Sequence, residues 1–208
     1  MAKSLPEEIV RLEWEMFSAV SNVGGQASCQ RDPDTFAIMR RSQAESWPED
    51  VQESWLGDLE EAKRNGRNLM SEKYAWMMES TFPREFLRIA DRLPRIDEKT
   101  LALIEEIVSA NVAWKLETAE KYPRLNGQGR AVRTAEDSPW STSFETYLRG
   151  ELKTYSPETL RRLHRHTRQL LKEGINGAER TLLNQSKRYG YASLAAAEQA
   201  LSRPRRDS

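Results

Sequence analysis

The chain has 208 residues, with 32 basic and 32 acidic side chains, two histidines and one cysteine. That length allows one domain or two small halves sharing a core, and 38% hydrophobic residues suffice to bury one. Balanced charge argues against general nucleic-acid binding, no apolar run approaches the ~18 residues of a membrane span, and a lone cysteine excludes an internal disulfide. The first residues lack the apolar stretch of a signal peptide. The expectation is a cytoplasmic protein kept reduced.

Ser4-Leu5-Pro6-Glu7 has the form of a capping box with a first-turn proline, and opens a helix whose stripe is Ile9, Leu12, Met16 and Val20. Gly24-Gly25 ends it. Asp32-Pro33 reads as cap and first residue of a second helix, with Phe36, Met39 and Gln43 on one side. Pro48 starts a third through Val51, Trp55, Leu59 and Ala62 to Gly66, and Leu69 to Met78 form a fourth. Pro83 opens a fifth through Phe86, Ile89 and Leu93. No alternation of period two appears and β-branched residues are sparse, so the fold class is all-α, a bundle of about nine or ten helices.

From Asp97 the pattern starts again. Leu5-Pro-Glu-Glu-Ile-Val10 returns as Leu103-Ile-Glu-Glu-Ile-Val108, and Asn22-Val-Gly-Gly-Gln-Ala27 as Asn126-Gly-Gln-Gly-Arg-Ala131. Further on, Phe36 and Arg41 meet Phe144 and Arg149, Trp47-Pro48 meets Tyr155-Ser156, and Gly66-Arg-Asn68 meets Gly174-Ile-Asn176. Identity across residues 35–80 is near chance, and helices that start and stop alike also produce short matches. The order of the matches favours an internal duplication, with halves near 1–97 and 98–208 packed about a pseudo-two-fold axis in one shared core. The first half holds 13 basic and 18 acidic side chains, a net of −5, and the second holds 19 and 14, a net of +5. Such halves suit docking on each other, or a basic surface meeting an acidic partner.

The most unusual stretch is Asn22-Val-Gly-Gly-Gln-Ala-Ser-Cys-Gln-Arg-Asp-Pro33. It is neither a P-loop nor a dinucleotide fingerprint, since no strand precedes it and no Gly-Lys-Ser/Thr follows. A tight connection with Asn22 and Asp32 as caps explains those two residues. Cys29 and Gln30 face, across the supposed symmetry, the twin loop's Arg130 and Arg133, whose guanidiniums could converge on one carboxylate or phosphate. Pairing of these arginines with Glu136, Asp137 or the acidic half explains them equally well.

Glu13 and Glu15 flank Trp14 and project to different sides of the helix, so they are not a catalytic pair. Whichever faces the core needs an Arg or Asn from another helix. Trp14 and Trp114 lie in corresponding helices, and most of the six tryptophans read as core anchors. One cysteine and two histidines at i, i+2 give no metal spacing, and no Glu-x-x-His occurs. In Leu160–Leu171, Leu160, Leu163, Thr167, Leu170 and Leu171 form the buried stripe. His164, His166 and four arginines fall away from it, which leaves Cys29 without an imidazole to activate it.

Several motifs together resemble a known family: Glu13-Trp-Glu-Met-Phe17, Asn22-x-Gly-Gly25, Ser28-Cys-Gln30, Gly66-Arg-Asn-Leu69, Glu72-Lys-Tyr74 and Met78-Glu-Ser80. Thr142-Ser-Phe-Glu-Thr-Tyr-Leu-Arg-Gly-Glu151, Thr154-Tyr-Ser156 and Tyr189-Gly-Tyr191 complete the set. Over roughly residues 5–200 the chain resembles the uncharacterised bacterial domain-of-unknown-function family numbered forty-one twenty-five. That resemblance implies a bacterial helical domain and carries over no activity, cofactor or catalytic residue.

The leading functional expectation is a protein that binds, and could act on, a small polar or anionic molecule between its halves. The candidate ligand residues are Glu13, Trp14, Asn22, Cys29, Gln30, Arg40, Arg130 and Arg133. The alternative is a non-enzymatic module whose basic helix 160–172 docks an acidic protein.

Overall fold

The computed structural model describes residues 3–21, 28–139 and 141–202. Within them lie eleven α-helices and no strand, only an isolated bridge between Ser138 and Ser141. No helix among the described residues is long and apolar enough to cross a membrane. Asn22, Gly24, Gly25, Trp140 and the tail from Arg203 lie outside the described residues.

The helix starts follow local chemistry. In α1 (Leu5–Ser18) the Glu7 carboxylate accepts the Ser4 N–H at 3.0 Å. Asp32 caps α2 (Pro33–Ala44) by accepting from Thr35 N–H at 3.0 Å. After α3 (Glu49–Arg64), Asn68 caps α4 (Leu69–Thr81). Asp97 caps the long α6 (Glu98–Lys121), Ser143 caps α8 (Phe144–Leu152), Ser156 caps α9 (Pro157–Lys172), and Asn176 caps α10 (Gly177–Arg188). Each side-chain oxygen answers an N–H that the first helical turn leaves unpaired. Two short helices, α5 (Pro83–Phe86) and α7 (Pro123–Gly127), and the terminal α11 (Leu194–Ala200) complete the set.

Helix ends repeat as well. Gly66 and Gly174 have φ of +66° and +65°. At both, the residue after the glycine donates back into the helix: Arg67 N–H to the Ala62 carbonyl at 2.8 Å, and Ile175 N–H to that of Leu170 at 2.9 Å. This is the Schellman closure, and glycine adopts its left-handed residue without a Cβ penalty.

Helix α1 packs on α2, α3 and α4, and α6 packs on α8, α9 and α10. The two groups meet where α4 lies on α8, α10 on α2, and α3 on α9. One apolar cluster runs through the middle, including Ile9, Leu12, Val51, Trp55 and Leu59 from one group and Ile104, Ile107, Leu152 and Leu160 from the other. Helix α4 packs closely on α8. A Cβ on Gly150 would stand 2.8 Å from Met77 Cγ and 3.0 Å from the Lys73 carbonyl oxygen. Glycine at 150 therefore brings Lys73 and the neighbouring Glu151 together.

Three expectations are corrected. The helix expected from Pro83 to Leu93 ends at Phe86, and a 3-10 turn over Ala90–Arg92 follows. Only Phe86 of the segment is buried, so little packing supports further turns. Met39 is 52% exposed because α2 turns Arg40, Ser42 and Ala44 inward instead. Leu171, assigned to the buried stripe of α9, is 51% exposed, because it falls one position beyond the Leu163–Thr167–Leu170 face.

Candidate functional site

A buried charge centre occupies the junction of α1, α2, α4 and α8. Glu13 is fully buried, with Arg40, Lys73 and Glu151 almost so. Two negative and two positive groups sum to zero, the condition under which such burial is tolerable. Arg40 bridges both carboxylates. Its Nε and Nη2 donate to Glu13 at 2.7 and 2.6 Å, and Nη1 and Nη2 donate to Glu151 at 3.0–3.1 Å. Lys73 Nζ donates to Glu151 Oε2 at 2.5 Å and sits 3.5 Å from the centroid of the Tyr147 ring.

Neutral donors complete the shell. Trp55 Nε1 donates to Glu13 at 2.9 Å, while Tyr155 Oη and Gln43 Nε2 donate to Glu151 at 2.9 and 3.2 Å. Burial by itself would raise the Glu151 carboxyl, but the charges of Arg40 and Lys73 outweigh it and hold the group well below the usual carboxylate range. Burial and the adjoining Glu151 charge push Tyr155 upward, so its hydroxyl remains a donor. Every oxygen of both carboxylates has a partner inside the protein. The centre is a closed network and leaves no face for a ligand.

Tyr155 is also a wall of something open. A cleft of about 250 Å³ lies between the end of α3, the start of α4, residues 94–100 and the α8–α9 junction. Its lining includes Asp58, Arg67, Arg95, Thr100, Tyr155 and Ser156. Asp58 reaches across from α3 to accept the Ser156 N–H at 2.9 Å, at the start of α9. Burial pushes the Asp58 carboxyl up, against hydrogen bonds from Ser156 and Thr159 that pull it down. A half-buried carboxyl whose proton affinity is raised, set in a cleft, is a usual mark of a binding or proton-transfer site.

The sign of that shift gives a test. With its folded value above the unfolded one, Asp58 binds more protons in the native state, so its contribution to stability falls as pH rises through the interval between the two values. Asp58→Asn keeps an acceptor for Ser156 and removes the charge. The stability of the variant relative to the parent should therefore rise from about pH 4, near the unfolded Asp value, towards neutrality. Urea denaturation at a series of pH values measures it, and a difference that falls with pH contradicts the assignment.

The residues expected to bind ligand occupy separate places. Glu13 and Arg40 meet in the charge centre, and Arg40 is the partner that a core-facing Glu13 requires. Trp14 is half-buried in a ring cluster with Phe17 and Phe36. Gln30 is buried, and its Nε2 donates to the Phe17 and Val20 carbonyls, closing the end of α1. Cys29 is an exposed free thiol. Arg130 is exposed, donates to the Thr142 carbonyl at 3.0 Å and stacks over Tyr147 with its Cζ 4.8 Å from the ring centroid. Tyr74 gathers part of this region. Burial raises its hydroxyl first, then Tyr147 and Cys29 nearby, with Arg130 opposing. Arg133 is exposed on the next loop, where its backbone N–H donates to Glu136. Asn22 lies outside the described residues. None of the seven described ones lines the cleft.

Lys73 and Glu151 had a signal in the sequence. Lys73 stands between Leu69 and Met77 on one stripe, and Glu151 follows Phe144 and Leu148 on another. A charge inside an apolar stripe is a buried charge awaiting a partner. Asp58, Arg95 and Ser156 carry no such mark, because the cleft is assembled from segments far apart in the chain.

A family model described as protein of unknown function (DUF4125) matches residues 3–199. The chain belongs to that family. No curated protein and no solved structure matches it at a significant level. Membership in DUF4125 agrees with the motif resemblance over nearly the whole chain. The family's description assigns no reaction, so function rests on the geometry of the site.

Proposed function

We propose that this DUF4125 chain is a duplicated helical unit whose halves bind a small polar molecule in the cleft between them. The cleft carries the reading. Residues from α3 and α4 form one side, residues from α6, α8 and α9 the other, and Tyr155 ties that wall to the charge centre.

The duplication is supported by hydrogen bonds that recur at the offsets found in the sequence. Asn68 Nδ2 donates to the Met16 carbonyl at 2.8 Å, and Asn176 Nδ2 to that of Trp114 at 3.0 Å. Arg41 pairs with Glu7 at 2.8 Å and Arg149 with Glu105 at 2.7 Å. Ser46 and Thr154 hydroxyls donate to the Gln43 and Glu151 carbonyls at 2.6 and 2.7 Å. Gln43 and Glu151 thus hold equivalent places and touch each other. The cleft has an asymmetric origin: α6 starts five residues before the position matching the first residue of α1, and this extra length forms one of its walls.

The basic helix supports the interaction reading less. Arg161 and Arg162 pair with Glu158, Arg165 with Asp50, and His164 with Glu106, so much of its charge is satisfied within the chain.

Native mass spectrometry of the intact protein, followed by hydrogen exchange with any ligand found, tests the proposal. Slowed exchange at residues 94–100 and 152–157 is the expected result. Protection confined to other segments, or no ligand from a panel of organic acids, phosphates, polyols and amines, overturns it.

A further inference from the structure

Resting on the cleft as the binding site, we propose that the group it recognises is an oxyanion, a carboxylate or a phosphate, held by Arg95. Arg95 lines the cleft and is exposed, and among the described residues it makes no hydrogen bond or ion pair. That sets it apart from the cations around it. Lys153, which also lines the cleft, is paired with Glu79 over the Trp76 ring. Arg67 gives Nε and Nη2 to Glu72 at 2.9 and 2.6 Å, which leaves Nη1 as a second donor at the rim. A guanidinium with its donor fork unspent is matched to a planar carboxylate or a phosphate face.

The acids of the cleft have partners other than Arg95. Asp97 spends both oxygens on Thr100, one on its N–H at 3.0 Å and one on its hydroxyl at 2.7 Å. Asp58 is engaged by the Ser156 N–H at 2.9 Å, and burial raises its carboxyl. Glu61 is exposed to water, where its field is screened. The first turns of α4, α6 and α9 supply Leu69, Thr100, and Ser156, Pro157 and Leu160 to the lining, so their positive ends add to the same field. The Ser156 hydroxyl is spent on Thr159, and the second carboxyl oxygen of Asp58 remains as an acceptor for another polar group. The ligand class is a small acid or phosphate ester that also carries a hydroxyl or amine.

The experiment uses the full chain and four probes: inorganic phosphate, succinate, glycerol and putrescine, with sodium chloride matched for ionic strength. Titration by thermal melting and calorimetry should show saturable stabilisation by phosphate or succinate beyond the chloride control, and the stronger of the two identifies the anionic group. Arg95→Ala should weaken that binding at least tenfold while its ligand-free melting temperature stays that of the parent, because the side chain holds no internal partner. Arg95→Lys should recover part of the affinity. Binding of glycerol or putrescine at the cleft without anion binding overturns the oxyanion assignment and leaves the cleft intact as a site. Anion binding undiminished in Arg95→Ala overturns the role of Arg95. If none of the probes binds, the oxyanion assignment fails, whereas the binding cleft itself fails only on the broader panel and its exchange map.

Discussion

Glu151→Gln is expected to destabilise the protein by about 3–5 kcal/mol, the cost of removing one partner from a buried ion pair. For a chain of this length that corresponds to a fall of roughly 6–20 °C in melting temperature. The reason is charge rather than shape, since glutamine matches glutamate in size. Arg40 would keep Glu13, but Lys73 would be left almost fully buried against the Tyr147 ring and an amide oxygen. Lys73→Met alone leaves Glu151 with Arg40, and Lys73→Met with Glu151→Gln removes one charge of each sign. The double variant should therefore be more stable than the sum of the single losses predicts, by about 0.5–3 kcal/mol, the range of coupling between contacting groups. Urea denaturation at pH 7 gives all three values. A Glu151→Gln loss below ~1 kcal/mol would mean that water reaches the centre.

Acid extends the same test. The folded Glu151 carboxyl lies below its unfolded value, so its contribution is present above the unfolded carboxylate range near pH ~4.3 and is lost as pH falls towards the folded value. Glu151→Gln removes that slope, and its stability should depend less on pH below about 4 than that of the parent.

The fold was legible where the physics is local. Asp32, Asn68, Asp97, Ser156 and Asn176 each accept a bond from an N–H three residues ahead, so a cap and its helix lie within one short stretch of sequence. Gly66 and Gly174 are read the same way. The pattern erred where side chains answered to distant partners. Arg40 turned inward and displaced Met39 because Glu13 and Glu151 wait 27 and 111 residues away. Glu13 and Arg40 were readable as candidates, whereas Lys73 and Glu151 stood out only as charges inside apolar stripes, with partners that came into view once α4 and α8 were packed. The cleft is less legible still. It draws on α3, α4, α6 and the α8–α9 junction, and no single segment announces it.

Trp55→Ala should cost about 3–5 kcal/mol, the range for emptying a large aromatic site in a core. Trp55 is fully buried, and its ring centroid lies 4.1 Å from that of Tyr155. The cavity left behind would open beside the charge centre, and Glu13 Oε1 would lose its bond from Nε1 at 2.9 Å. Trp55→Phe separates the two effects. Phenylalanine keeps much of the ring contact but brings no donor, so its loss should be about 1.5–3 kcal/mol, that of a hydrogen bond to a charged group together with a smaller void. The difference between the two variants is then packing, and the loss in Trp55→Phe is mainly the donor. Equal losses in both would mean that Glu13 depends on the indole N–H more than the core depends on the ring. A loss below ~1 kcal/mol in Trp55→Phe would mean that Arg40 alone satisfies Glu13. In that case the indole is there for its volume.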